Sequence, residues 1–180
     1  MSPVQILSGN LFDSQHQTLT NAVNTVGVMG AGIAKEFKAR YPAMYQDYKE
    51  RCERGEVKTG EPYVWSSSNE AQKVLNFPTK RDWRVKSRLA WIESGLAYLV
   101  EHYREMGITS IAFPALGCNN GGLDWQSVRP VMVRYLGQLT IPVEIYEPRE
   151  EKIKRQPRKK KQAKKKSKNL TASCAQGALF

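Results

Sequence analysis

Residues 20–34, TNAVNTVGVMGAGIA, run from a strand-like segment through Asn24, Gly27, Gly30 and Gly32 into a helix-like one, IAKEFKARY. A glycine turn between a buried strand and a helix constrains the fold more than any other part of the chain. Glycine there permits backbone conformations and close approaches that a Cβ forbids. The first amides of the helix lack intrahelical partners and suit an anion. The segment therefore predicts a diphosphate cradle. A second glycine-rich loop, LGCNNGGL at residues 116–123, follows the apolar run SIAFPA. Two such loops can grip one pyrophosphate from both sides. Either loop alone is equally a plain tight turn, and neither is a GxGxxG or GxxxxGK[ST] motif. Their pairing, with Asn24 ahead of the first, points to a ligand.

A chain of 180 residues allows one domain of ordinary size and a tail. Hydrophobic residues make up 41%, slightly low for a globular protein, and the deficit is local. Residues 149–180 hold 12 of the 28 Lys and Arg but only 2 of the 17 Asp and Glu. The formal charge of +11 is thus almost wholly a property of that segment, and residues 1–148 are close to neutral. The three cysteines, Cys52, Cys118 and Cys174, form no CxxC pair. That argues against a disulfide framework or a zinc site and fits a reducing, cytoplasmic setting. His16 and His102 are too few for a histidine metal centre, so no metal and no cofactor are expected. The start, MSPVQILSGN, has no basic-then-apolar signal pattern. No apolar run approaches the ~20 residues of a membrane helix, so no membrane contact is expected.

The body alternates strand-like and helix-like segments. Strands are predicted at Val4–Leu7, Thr18–Val23, Ile111 and its neighbours (110–115) and Val143–Tyr146. A hairpin across SSSNEAQ joins Tyr63–Trp65 to residues 73–77. Helices are predicted over 32–41, 43–54, 87–106 and Trp125–Leu136, with Asp124 as the cap of the last. The longest places Leu89, Ile92, Leu96, Leu99, Val100 and Tyr103 on one face. This alternation predicts a three-layer α/β/α sheet that is at least partly parallel. Ligands of such sheets sit outside the carboxyl ends of strands, where both glycine loops fall. Pro148 closes the body. The segment REEKIKRQPRKKKQAKKKSKN that follows has too little apolar surface to offset chain entropy and is expected to be disordered.

Four blocks, GNLF, LTNAVNTVGVMGAGIAKEFKARYP, NFPTK and FPALGCNNGGLDW, stand in this order. Together they resemble the macro domain, and more closely its ADP-ribosylglycohydrolase branch typified by the DarG antitoxin. The likeness covers about residues 3–148. It implies a three-layer α/β/α macro domain with a mixed central sheet and ADP-ribose bound in a cleft over it. For this branch it also implies removal of ADP-ribose from thymine in single-stranded DNA, a mark that a DarT-like partner toxin installs. A monomer is expected. By position, Asn24 would hydrogen-bond the distal ribose. Gly30, Ala31, Gly32 and Ile33 would present amides to the phosphates. Leu116, Gly117, Cys118, Asn119, Asn120, Gly121 and Gly122 would form the second phosphate loop. Asn10 and Leu11 would meet the adenosine, with Tyr146 against it, and Lys80 would be the catalytic residue.

The chain departs from the family at several points. Asn10 stands where many macro domains have Asp, so it accepts from adenine without charge and weaker adenosine binding is expected. Asn119 replaces a usual Gly; Asn tolerates a left-handed backbone, though its side chain crowds the ribose. Gly121 occupies the place of the Asp that the deacylating branch sets beside its lysine, so a Lys–Asp pair is not expected. The branch implies a further toxin-neutralising region after the domain; residues 149–180 of this sequence are instead the basic segment, and no such region is expected in them.

The glycosidic carbon of ADP-ribose reacts through an oxocarbenium-like state. A neutral Lys80 could attack it, or an opened ribose aldehyde; an ammonium could donate to the departing base. The first role needs a depressed pKa, for which the cations Arg81, Arg84 and Lys86 are candidates. Without the family match, Lys80 reads as a surface lysine at a strand end. Cys118, Asp13, His16 and Asp124 read as turn, cap or loop residues. Trp91 and Trp125 read as packing residues. Trp83, within KRDWRVKSR, reads either as a solvated loop residue or as a base-stacking one. The run PRKKKQAKKKSK suits tethering to nucleic acid, nuclear import in a eukaryote, or mere solubility. Two rival functions are a non-catalytic ADP-ribose reader and an enzyme acting on a free derivative such as ADP-ribose 1″-phosphate.

Overall fold

A computed structural model of the chain describes residues 4–148; the expected tail, 149–180, lies outside the described residues. Six strands form one sheet: β1 (Val4–Leu7), β2 (Thr18–Val23), β3 (Tyr63–Trp65), β4 (Lys73–Pro78), β5 (Ile111–Pro114) and β6 (Val143–Tyr146). Their spatial order is β1-β6-β5-β2-β4-β3. Every pairing is parallel except β3 against β4, so the sheet is mixed, as expected. The four helices are α1 (Gly32–Arg40), α2 (Pro42–Glu53), α3 (Leu89–His102) and α4 (Trp125–Leu136).

Strand periodicity divides the core into two layers. Leu75 and Phe77 of β4, with Ile111 and Phe113 of β5, face Ile92, Leu96 and Leu99 of α3 and Val128 and Met132 of α4. The alternate positions, Leu19, Val23, Val74 and Ala112, face Phe37 of α1 and Met44 and Tyr48 of α2. Buried polar groups fix the register on this second face. Asn21 and Asn76 stand opposite each other in β2 and β4, and Tyr63 is opposite Asn76 in β3. Asn21 Nδ2 donates to Asn76 Oδ1 at 3.1 Å, and Asn76 Nδ2 to the Tyr63 hydroxyl at 3.2 Å. A slip of one residue would leave these amides buried without partners.

The expected long helix over 87–106 is shorter at both ends. Ser87 and Arg88 are drawn into an extended path, the Ser87 amide donating to Gly121 O at 2.9 Å. At the other end the chain turns through Gly107, at φ +65. Two short 3-10 turns, Leu11–Asp13 and Asn119–Gly121, carry no apolar period and were invisible in the sequence pattern.

Candidate functional site

The parallel strands end together. Val23 is level with Pro78, and Pro114 and Leu7 are both level with Tyr146. Asn10, Asn24, Lys80, the 116–122 loop and Tyr146 thus lie along one edge of the sheet. The β2–β4 pairing continues past the strands, with the Thr79 amide on Val23 O at 2.9 Å and the Thr25 amide on Arg81 O at 3.2 Å. The segments carrying Asn24 and Lys80 are thereby stitched side by side.

The first loop enters α1 without a side-chain cap at Ala31. The opening amides of the helix, at Gly32, Ile33 and Ala34, therefore point outward without intrahelical partners. Gly30, Ala31 and Gly32 are exposed, and Ile33 is half-buried. Asn24 is only 5% exposed and organises the loop. Its Oδ1 accepts from the amides of Val26 and Val28 at 3.0 and 3.3 Å, and its Nδ2 donates to Val28 O at 2.7 Å. The Tyr48 hydroxyl lies 2.9 Å from both oxygens of Asn24. One amide hydrogen of Asn24 remains for a ribose. Tyr48, whose phenol burial pushes far above its usual range, supports the site from α2 and was not singled out as a site residue by the sequence pattern.

The second loop is a closed turn. Its amides at Cys118, Gly121, Gly122 and Leu123 are engaged by Ala115, Cys118, Asn119 and Gly117 carbonyls at 2.9–3.3 Å. Of the expected phosphate loop, Cys118, Gly121 and Gly122 therefore have no spare amide in this conformation. Gly117, Asn119 and Asn120 retain theirs, and Leu116 is buried, so only its backbone faces the cleft edge. Asn119 adopts φ +51, the left-handed backbone that Gly would supply. A Cβ on Gly121 would lie 2.6 Å from Ser87 Oγ, so a carboxylate there would require Ser87 to move. A Cβ on Gly32 would lie 2.7 Å from Asn120 Nδ2. The two loops thus meet at Gly32 and Asn120.

Lys80 follows β4 and is half-buried. Its Nζ donates to Asn120 O at 3.0 Å and Trp83 O at 3.4 Å. Burial lowers its pKa, while the Asp82 carboxylate pulls the other way. The expected cause, cationic neighbours, does not operate. Arg84 is held by Asp82 through two bonds of 3.0 Å, and Arg81 turns to the Trp91 ring at 5.6 Å.

At the other end, Asn10 Oδ1 accepts from the Phe12 amide at 3.3 Å and caps the 3-10 turn. It retains one lone pair for an incoming donor. Leu11 is buried and offers only its main chain. Tyr146 is half-buried, with its ring edge 3.9 Å from where a Gly9 Cβ would be and its hydroxyl on Glu144 at 3.1 Å. Cys118 is buried, and its thiol is pushed up to about 11, chiefly by that burial. It is a packing residue of the turn. Asp124 caps α4 through the Ser127 amide at 3.2 Å. His16 lies against Glu144. Among the described residues no cluster of His, Cys, Asp and Glu could hold a metal ion, and no helix is long and apolar enough to cross a membrane.

A sequence profile described as Macro domain matches residues 20–132. The chain is 44% identical over 144 residues to the "DNA ADP-ribosyl glycohydrolase" of Mycobacterium tuberculosis, covering 78% of this chain and 41% of that protein. It is 42% identical over 167 residues to a "DNA ADP-ribosyl transferase-DNA ADP-ribosyl glycohydrolase fusion protein" of Thermosipho africanus, covering 83% and 43%. The chain therefore spans about two fifths of the length of these curated relatives. Among solved structures, the macrodomain of Mycobacterium tuberculosis DarG superposes with a TM-score of 0.79 at 42% identity, over 82% of this chain and 99% of that one. Thermosipho africanus DarTG in complex with ADP-ribose gives 0.81 at 42% identity, over 85% and 43%. In profile, sequence and fold alike, the chain belongs to the macro domain family.

Proposed function

We propose that the domain is a metal-independent ADP-ribosylglycohydrolase that binds ADP-ribose and removes it from nucleic acid, namely from thymidine in single-stranded DNA. The observation that carries this reading is the placement of one amine. Lys80 Nζ sits at the end of β4, against the carbonyl of Asn120, where the two glycine loops meet. Relatives 42% and 44% identical to the chain are named for DNA ADP-ribosyl glycohydrolase activity, and a solved relative was captured with ADP-ribose.

In this reading the amides of Gly32 and Ile33, with those of Asn119 and Asn120, hold the diphosphate. Asn24 offers its remaining N–H to the distal ribose, and Asn10 and Tyr146 border the adenosine. Anchoring at the diphosphate fixes the anomeric carbon beside Lys80 and converts the reaction to an oriented, unimolecular one. Two carbonyl acceptors orient the Lys80 amine while its burial lowers the cost of the neutral form. The neutral amine can attack the anomeric carbon as its bond to the base breaks, with the base leaving on the bonding pair. Water then displaces the lysine, its hydroxyl staying on the anomeric carbon and its proton passing to the departed base, and the neutral amine is restored. Alternatively the ammonium donates a proton to the departing base, and water adds directly.

The branch also implies a DarT-like toxin as the enzyme whose mark is erased, and the basic segment 149–180 suits a sequence-independent tether to DNA. The deciding assay presents ADP-ribosylated single-stranded DNA, ADP-ribosylated protein and ADP-ribose 1″-phosphate side by side. Release from DNA at the highest rate supports the proposal. ADP-ribose binding without any release would make the domain a reader, and faster phosphate release from the free derivative would make it a metabolite phosphatase.

A further inference from the structure

A second basic feature lies beside the cleft and has no part in the reading above. Arg81, Val85, Lys86, Ser87, Arg88 and Trp91 line an open recess of about 310 Å³. It sits at the amino end of α3, where Arg88 is the cap residue and makes no side-chain capping bond. Of the opening amides of this fourteen-residue helix, that of Trp91 donates to Arg88 O at 3.0 Å, and those of Leu89 and Ala90 have no intrahelical partner. The guanidinium groups of Arg81 and Arg88 both pack on the Trp91 ring, at 5.6 and 5.0 Å. Among the described residues, Arg81, Lys86 and Arg88 pair with no carboxylate. Asp82, next to Arg81 in sequence, is engaged by Arg84.

This arrangement is electrostatically unfavourable by itself. Three like charges crowd the positive end of a helix dipole, where an acidic residue is the stabilising choice. An anion would relieve both terms at once. Two exposed side chains of the same segment, Trp83 at 55% and Val85, which lines the recess, at 45%, add apolar surface of the kind that takes a base. The recess is also tied to the cleft. Ser87, 4% exposed and with its hydroxyl unpartnered, lines the recess and donates its amide to Gly121 of the second loop. The Lys86 stem lies 3.5 Å from where a Gly122 Cβ would be.

We propose that this recess docks a phosphodiester of the nucleic-acid strand adjoining the modified nucleotide, with Trp83 stacking a neighbouring base. The strand's identity as carrier of the modified base rests on the function proposed above; the docking itself does not. Arg81 and Arg88 supply the charge-assisted hydrogen bonds, and the amino end of α3 supplies the field.

The test uses the full chain and follows the indole N–H signals of Trp83, Trp91 and Trp125 by NMR. Probes are unmodified tetrathymidylate, inorganic phosphate and ADP-ribose. Tetrathymidylate is expected to shift the Trp83 and Trp91 signals and leave Trp125 in place, at concentrations where inorganic phosphate moves none of them. The double variant Arg81→Gln/Arg88→Gln should lose the Trp91 shift while keeping its Trp125 signal and its heat of ADP-ribose binding. An unmoved Trp91, an equal shift with inorganic phosphate, or a shift that survives in the variant would each overturn the docking site. None of these readouts needs turnover, so an inactive wild type would defeat the proposed activity and leave this test standing. With active protein, the variant should raise KM for ADP-ribosylated oligonucleotide about tenfold or more, the loss of one or two charge-assisted bonds. Its kcat, and its rate on ADP-ribosylated thymidine nucleoside, should hold.

Discussion

The Lys80 ammonium and the main-chain oxygen of Asn120, forty residues later, are 3.0 Å apart. This one bond ties the end of β4 to the second glycine loop and aims an amine at the place where the loops converge. Lys80→Ala removes the amine and no cradle amide. Release of ADP-ribose from modified oligonucleotide should fall by at least about 10²-fold, the usual scale for a positioned proton-transfer or nucleophilic group. ADP-ribose binding measured by calorimetry should stay within a few-fold. Equal rates for variant and wild type would remove Lys80 from the mechanism.

The charge on Lys80 makes the rate depend on pH in a stated direction. Burial lowers its pKa from the ordinary 10.5, and Asp82 resists that shift. If the neutral amine acts, kcat rises with pH and levels off above a pKa below 10.5. Asp82→Asn removes the resisting carboxylate and releases Arg84, both of which favour the neutral amine. The rising limb should then move to lower pH. The same depression has a stability consequence. Between the folded pKa and 10.5 the unfolded chain binds more protons, so stability rises with pH across that window. A limb that stays put in Asp82→Asn would assign it to another group.

Gly32 is the contact between the loops. Its φ of +56 and the 2.7 Å from a would-be Cβ to Asn120 Nδ2 are two separate objections to a side chain. Gly32→Ala should cost about 1–2 kcal/mol for the backbone alone and weaken ADP-ribose at least about tenfold, because the helix amides beside it are displaced. Adding Asn120→Ala removes the collision and leaves the backbone cost. Affinity in the double variant should recover in part, by titration calorimetry. Unaltered affinity in Gly32→Ala would argue that the diphosphate is held elsewhere.

Much of this was legible in the chain because it resides in local signals. Strand and helix periods located the six strands and four helices of the described residues, and the glycine runs marked both loops. The extent of α3 was not legible. Its pattern continues through Ser87 and Arg88, whereas the Ser87 amide is bonded to Gly121, a partner distant in sequence, and Arg88 is extended. Asn24 showed its importance but not its duties, since its bond to Val28 O and the one from the Tyr48 hydroxyl depend on how α2 and the loop pack. The source of the Lys80 shift was misread for a similar reason. Sequence proximity put Arg81 and Arg84 beside it, whereas the fold directs one to Trp91 and the other to Asp82.

Gly95 gives a test of how the site is held from behind. It lies in the middle of α3, where glycine costs about 1 kcal/mol against alanine. A Cβ there would collide with the Phe77 ring of β4, so the helix and strand touch more closely than any side chain allows. Phe77 is three residues before Lys80, on the same strand and its continuation, so displacing its ring is expected to reach Lys80. Gly95→Ala gains helix propensity but overpacks the core, at about 1–3 kcal/mol, so the urea midpoint should fall. Release of ADP-ribose should drop more than its binding, because Lys80 moves and the α1 amides do not. Phe77→Leu in the same chain opens room for the new methyl and should restore part of the activity. A stabilised Gly95→Ala with full activity would show that α3 can retreat from the sheet without disturbing Lys80.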